Sequence, residues 1–409
     1  MTNYERVKKE LTKLGQEHLL RFYDQLSADQ QWLFIDQLLN LDYSCLQALD
    51  NTKAPETKAS ISPLTALRLS ESEARREEFT AAGIKALKDG RVAAVLLAGG
   101  MGTRLGSSDP KGMYDIGITR PVFIFQRLFE NLRSVTDRIG RPIHFLIMTS
   151  EKNDEKTRTF IKDHNYFGYD PSYVNFFVQN TAPCCDFNGK ILLESPSWVA
   201  TSPNGNGGWF DTMLHKGIVE GLENSGVRWL NVFSVDNVLQ RIADPAFIGA
   251  VILSGCASGS KVVRKADRDE KIGVMCLEDG RPSVIEYTEM SDALLDAKDE
   301  DGEPSYNYGV ILNYLFRMDD LKKASMEELP LHIARKKIPC IDEKGNPIVP
   351  AEPNGFKFEL FILDLIKKLP GCLPFEVERE QEFAPIKNKT GVDSVESARI
   401  LCEKNGITL

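Results

Sequence analysis

The chain has 409 residues, a formal net charge of −9, 42% apolar and 27% charged residues, a composition ordinary for a soluble globular protein of one large domain with appendages or of two to three domains. The acidic balance argues against a general nucleic-acid binder. No apolar run is long enough to span a bilayer, and the N-terminus MTNYERVKKELTKLGQEHLL has no apolar signal core.

In chain order, residues 4–49 read as helices. Leu11, Leu14, Leu19, Phe22 and Leu26 recur at helical steps, Trp32, Ile35, Leu38 and Leu39 continue the pattern, and Ser27 is placed to cap a helix between them. Residues 51–63, NTKAPETKASISP, read as a polar surface linker. Ser70 and Glu73 form a candidate capping box for a helix leading into the apolar run VAAVLLA. From Val92 onward strand-like and helix-like stretches alternate. Strands are expected at 92–98, 142–149, 174–178 and 228–234, and helices at 121–134, 153–166, in the stretch after PNGNGG as far as Gly226, and at 244–254. Such alternation predicts an α/β fold with a mostly parallel central sheet covered by helices, and ligands at the carboxyl ends of its strands. After residue 257 the pattern turns antiparallel, with a hairpin turn at Asp279-Gly280. Helices are then expected at 319–336 and 356–368, a strand at FEVERE and a last helix from Ser394 to about Lys404.

The stretch VAAVLLAGGMGTRLGSSDPKG carries the strongest chemical signal. A buried strand breaks into Gly99, Gly100 and Gly102, where no side chain bars a ligand from the backbone. Thr103 and Arg104 follow, then Pro110-Lys111. The dinucleotide fingerprint fails because Leu105 stands where a third glycine belongs, and the P-loop pattern fails for want of Gly-Lys-Ser/Thr. Strand, glycine loop and two cations suit a nucleotide's phosphates.

Asp236, directly after a buried strand, is well placed for Mg²⁺; a lone Asp there is more often a turn-former or helix cap, and it is the glycine loop that favours the metal. Asn204-Gly205-Asn206-Gly207-Gly208 is either a turn or a close approach to a base or sugar. Gln179, Glu286, Lys357 and Lys387 have no local signal beyond ordinary surface polarity. The eight cysteines are scattered without a C-x-x-C pair and the five histidines are dispersed. This favours reduced thiols in a cytoplasmic protein and disfavours zinc.

Several long segments together resemble the eukaryotic-type UDP-N-acetylhexosamine pyrophosphorylase family. They are GQEHLLRFYDQL, LLAGGMGTRLGSSDPKGMYDIG, SPNGNGG, VFSVDN, EKIGVMCLEDGRPSVIEYTEM, HIARKKIP, NGFKFELFILD and EFAPIKN. The resemblance implies a Rossmann-like nucleotidyltransferase fold. It implies a helical N-terminal extension and linker over 1–62 and a catalytic domain over 63–390, followed by a C-terminal helix over 391–409; the further C-terminal domain of longer relatives is not expected here, a departure from them in length. It also implies Mg²⁺-assisted condensation of UTP with N-acetylglucosamine 1-phosphate, or a close analogue, to UDP-sugar and pyrophosphate, in a cytoplasmic monomer or homodimer without nucleic-acid or membrane partners.

By resemblance, Arg104, Lys111 and Lys387 meet the reacting phosphates, and Asp236 holds the metal. Gly99, Gly100, Gly102, Thr103, Gln179 and Gly205 surround the nucleotide. Asn206, Gly273, Glu286, Asn307, Lys357 and Phe361 lie on the sugar side. One position departs from the family: Val310 follows Gly309 where the acetylglucosamine enzymes have asparagine, which leaves glucose or a broad sugar set as the alternative. A catalytically silent UDP-sugar-binding protein is a further alternative, disfavoured by retention of Arg104, Lys111 and Asp236.

Overall fold

The run Val92–Leu97 forms a strand buried at every position in the computed structural model of the chain. A strand with no polar alternation needs cover on both faces, and this one lies inside a sheet between helices. The structure describes residues 1–51, 59–327 and 329–409. They fall into two units. One gathers the described residues of Met1–Thr57, Asn180–Gly208 and Leu329–Ile362, the other those of Lys58–Gln179, Trp209–Glu328 and Leu363–Leu409.

Among the described residues of the larger unit, ten strands form one sheet. In chain order they are β1 (Ile61–Pro63), β2 (Val92–Leu97), β3 (Phe145–Thr149), β4 (Val174–Val178), β5 (Trp229–Ser234), β6 (Ser258–Arg264), β7 (Val274–Glu278), β8 (Arg281–Ile285), β9 (Tyr308–Arg317) and β10 (Cys372–Glu376). β5, β2, β3 and β4 are neighbours in that order and all parallel. β9 runs antiparallel to β5, β6 and β7, and β10 closes the far side parallel to β6. The α/β class is as expected, with the parallel block on one side of the sheet, ending at the edge strand β4, and the antiparallel strands added beyond β5. Helices Arg76–Lys88, Ile124–Ile139 and Pro245–Ser254 cover the sheet, and Phe79, Phe125, Phe129, Phe145, Phe233 and Phe247 are part of one core. Asp279 and Gly280 turn β7 into β8 with φ of 49° and 76°, the left-handed pair that a two-residue hairpin demands.

The smaller unit has its own core. Ser27 caps helix Ala28–Asn40 through a box with Gln30, as its sequence suggests. Val7, Leu11, Leu19, Phe34, Ile35 and Leu38 pack with Ile191, Leu193 and Val199. Gln16, 4% exposed, donates to the Gly189 carbonyl at 2.9 Å and accepts from the Ile191 N–H at 2.9 Å, joining the N-terminal helices to the 180–208 segment.

Local readings fail where tertiary pairing wins. Residues 61–63 are the strand β1 rather than the tail of a linker, and 52–58 lie outside the described residues. The helix before β2 starts two residues earlier than read: Arg68 N–H donates to Glu71 Oε2 at 2.8 Å, and a break at Arg75 divides the helix in two. Gly217, at φ 70°, likewise splits the helix expected before Gly226. The helix expected over 319–336 ends at Ala324; beyond Pro330, His332–Lys336 is a strand paired with Gly355–Glu359. The helix expected from 356 begins only at Ile362, because alternation through Phe356 and Phe358 follows the strand period. Trp32, placed in the apolar stripe, is 68% exposed.

All eight cysteines are free thiols, and Cys256 alone among them is not buried. Burial pushes Cys45, Cys185 and Cys372 up to about 12, which keeps them as inert thiols at neutral pH. Iodoacetamide is expected to alkylate Cys256 first in the native protein and the other cysteines only after unfolding, as peptide mass mapping would record.

Candidate active site

β2 and β5 are parallel and pair Leu97 with Ser234, so the loops that follow them leave the same edge of the sheet. After β2 the chain enters Gly99-Gly100 and folds back on itself. Gly102 N–H donates to the Asp109 carbonyl at 2.8 Å, and Lys111 N–H donates to the Gly100 carbonyl at 3.1 Å. Leu105 is buried beneath the loop, whereas Thr103 and Arg104 are exposed on a single 3₁₀ turn. Asn153, 1% exposed and in the loop after β3, holds this arrangement. Its amide nitrogen donates to the carbonyls of Ala98 (2.9 Å) and Gly100 (3.4 Å), and its oxygen accepts from Ser150 N–H (2.7 Å). Gln179 follows β4 and is buried; a Cβ on Gly99 would fall 2.4 Å from its amide nitrogen, so the bare backbone of Gly99 leaves room for the Gln179 side chain in this position.

Asp236 stands two residues beyond β5. Lys111 Nζ lies 3.5 Å from its Oδ2, and Ser234 Oγ donates to its Oδ1 at 2.5 Å. Ile386 N–H donates to the Asp236 carbonyl at 2.9 Å and thereby sets Lys387 beside it; Lys387 itself pairs with Asp393 at 2.9 Å. Burial pushes the Asp236 carboxyl up, but Lys111, then Ser234, then Lys387 outweigh it and hold the group below the usual carboxylate value. The result is an ionised carboxylate, 22% exposed, set among cations. Its hard oxygens fit Mg²⁺, which binds through one or two carboxylates while phosphates and waters complete the shell.

A second cluster of this unit joins β7, β8 and β9. A Cβ on Gly273 would lie 3.5 Å from Glu286 Oε1 and 3.6 Å from Val310 Cγ2, and Val310 N–H donates to the Gly273 carbonyl at 2.9 Å. Asn307 lies at the entry to β9, where its side-chain oxygen accepts from Lys265 N–H at 3.0 Å. Gly273, Glu286 and Val310 therefore share one place, and Asn307 braces a neighbouring loop.

In the smaller unit the PNGNGG stretch is stitched to the end of strand Gly355–Glu359. Leu360 N–H donates to the Asn204 carbonyl, Gly207 N–H to the Leu360 carbonyl, each at 2.7 Å, and Ile362 N–H to Asn206 Oδ1 at 3.0 Å. A Cβ on Gly205 would fall 2.3 Å from Leu360 O, and one on Gly207 2.7 Å from Leu360 C. The close backbone approach that these glycines permit is to the chain itself. Lys357 is half-buried on the strand, and Phe361 packs on His332 with ring centroids 4.5 Å apart.

Sequence reasoning overlooks Asn153, Ser234 and Asn237. Their only signal is position: each lies at or just past the carboxyl end of a parallel strand.

The chain is similar to known proteins over nearly its whole length. The family described as UTP–glucose-1-phosphate uridylyltransferase matches residues 45–408. UDP-N-acetylhexosamine pyrophosphorylase-like protein 1 of Homo sapiens is 37% identical over 417 residues, covering 96% of this chain and 82% of that protein. UDP-N-acetylglucosamine pyrophosphorylase of Saccharomyces cerevisiae is 37% identical over 413 residues, covering 97% and 86%. The crystal structure of the uridine diphosphate N-acetylglucosamine pyrophosphorylase of Trypanosoma brucei, in complex with an inhibitor, superposes with a TM-score of 0.82 at 28% identity, covering 98% of this chain and 84% of that one.

Two glycine substitutions separate packing from ligand access. Gly207→Ala is expected to cost about 1–3 kcal/mol in urea unfolding, because the new methyl meets backbone. At Gly100 a Cβ meets nothing within 4 Å, so Gly100→Ala is expected to leave stability unchanged to within about 1 kcal/mol.

Proposed function

The chain belongs to the UTP–glucose-1-phosphate uridylyltransferase family and is a nucleotidyltransferase, and we propose that it condenses UTP with N-acetylglucosamine 1-phosphate to the UDP-sugar and pyrophosphate. The observation that carries this reading is the ionised Asp236 beside Lys111 and Lys387, on the same sheet edge as the glycine loop. A phosphate oxygen of the sugar phosphate attacks the α-phosphorus of UTP; that P–O bond forms as the bond to the β-phosphate oxygen breaks, and pyrophosphate carries away the charge. Both reactants are anions, so the protein's task is charge neutralisation and in-line positioning.

Arg104 and Lys111 meet the charge that gathers on the transferred and leaving phosphates, and Lys387 meets the phosphate on the sugar side. Asp236 is the residue that would hold Mg²⁺, which when bound supplies countercharge to those phosphates. The bare backbone at Gly99, Gly100 and Gly102 receives the nucleotide, with Thr103 beside it and Gln179 reading the uracil. Gly273 and Glu286, which lie together beside Val310, serve the sugar 1-phosphate. The parallel block β5–β2–β3–β4 supports a Rossmann-like description, and the free, mostly buried thiols suit a reducing compartment such as the cytoplasm.

Val310 favours a second reading within the same chemistry. Its isopropyl group stands beside Gly273 and Glu286 and offers a sugar no hydrogen bond, which supports a broader sugar range.

Pyrophosphate release with Mg²⁺ and UTP should be measured for N-acetylglucosamine, N-acetylgalactosamine, glucose and galactose 1-phosphates side by side. Preference for an N-acetylated sugar is expected; preference for glucose would move the substrate and keep the reaction, and silence on every sugar would remove it. Lys111→Ala is expected to lower turnover by about 10²–10³-fold without unfolding the protein. Gly100→Ala is expected to weaken UTP binding in calorimetry at unchanged stability.

A further inference from the structure

Lys387 reaches the site from a segment far from β5 in sequence, and a buried polar network fixes that segment. Asn237, the residue after Asp236, is 1% exposed. Its amide nitrogen donates to the Glu382 carbonyl at 2.7 Å, while its oxygen accepts from Ala384 N–H at 2.9 Å and Leu239 N–H at 3.3 Å. Val238 N–H donates to the Ala384 carbonyl at 3.4 Å, and Ile386 N–H to the Asp236 carbonyl at 2.9 Å. Residues 236–238 and 382–386 are thus laced together on both sides of Asn237, and the next residue is Lys387.

The same segment is pinned from below by a second buried group. Lys261, on β6, is fully buried and donates to Glu382 Oε2 at 2.5 Å and Asp244 Oδ2 at 2.8 Å. Asp244 in turn accepts from Ala246 N–H at 3.1 Å and caps helix Pro245–Ser254. One ammonium therefore ties the far end of the loop that carries Asp236 to the near end of the segment that carries Lys387. A buried ammonium is costly unless it is fully paired, and here two carboxylates flank it.

We propose that Asn237 and Lys261 are positioning residues that hold Lys387 in register with Asp236. Neither touches substrate; both act through Lys387. The inference rests on the role given to Lys387 above. A general stabilising role would act on all site residues alike, whereas a positioning role acts through this lysine alone.

A double-mutant cycle on the full chain separates the two, read by kcat and KM for pyrophosphate release together with the melting temperature. Asn237→Ala is expected to lower kcat/KM by about 10- to 100-fold. In a Lys387→Ala background the same substitution is expected to cost less than about 2-fold, because the group it positions is gone. A multiplicative loss in the double variant would overturn the positioning role. No loss in Lys387→Ala alone would overturn instead the reading of Lys387 on which it rests. Lys261→Arg, which keeps the charge, is expected to retain more activity than Lys261→Met, and equal loss in both would count against the pin. Should Asn237→Ala not fold, Asn237→Ser, whose hydroxyl can keep one of the bonds, takes its place in the cycle. Should that fail too, amide exchange in the unaltered protein decides: Ala384 and Ile386 are expected to exchange as slowly as the amides of β2, and fast exchange would overturn the proposal.

Discussion

Parallel strands end on the same edge of a sheet, and in this chain the partners Leu97 and Ser234 deliver the glycine loop and Asp236 to one place. Register sets the site. A shift of one residue would turn Ser234 and the chain behind it to the opposite face and separate Asp236 from Lys111. The register is secured by burial: β2 is closed off along its whole length, and β5 is buried up to Phe233. The apolar core under the sheet thus acts on chemistry indirectly, by allowing only one alignment of two strands.

Charge is the second constraint. Asp236 remains ionised because Lys111, Ser234 and Lys387 together outweigh the cost of burial, and Lys387 is itself steadied by Asp393. Cations held in place before a polyanion arrives need no reorganisation when it does, which is how preorganised electrostatics serve phosphoryl transfer. Holding them requires a scaffold of satisfied buried polar groups, and Asn153, Asn237 and Lys261 supply it. Each of them has several partners and little or no exposure. Removing such a group leaves its partners unsatisfied, so the scaffold resists loosening one bond at a time.

The smaller unit follows a different logic. Its N-terminal helices bury a stripe against residues 180–208, and its PNGNGG stretch lies against the end of strand Gly355–Glu359. Gly205 and Gly207 are needed there whether or not a ligand is bound, because a Cβ at either would strike the backbone around Leu360. A motif with the look of a binding loop is in this case a packing joint, and Gly205 and Gly207 answer to that demand.

What the sequence determines alone is local. The buried run before Gly99, the turn at Asp279-Gly280, the cap at Ser27, the helix start at Ser394 and the cations Arg104 and Lys111 are legible because their signals lie within a few residues. Asp236 is legible as a residue at a strand's end, and its partners are not. The strand at His332–Lys336 reads as helix because five residues do not distinguish the periods, and pairing with Gly355–Glu359 decides. Asn153, Asn237 and Lys261 carry no local mark at all. Lys261 meets Glu382 across 121 residues of chain, and whether a lysine is a solvated surface charge or a buried pin depends on what the fold packs around it, a property that no window of sequence contains.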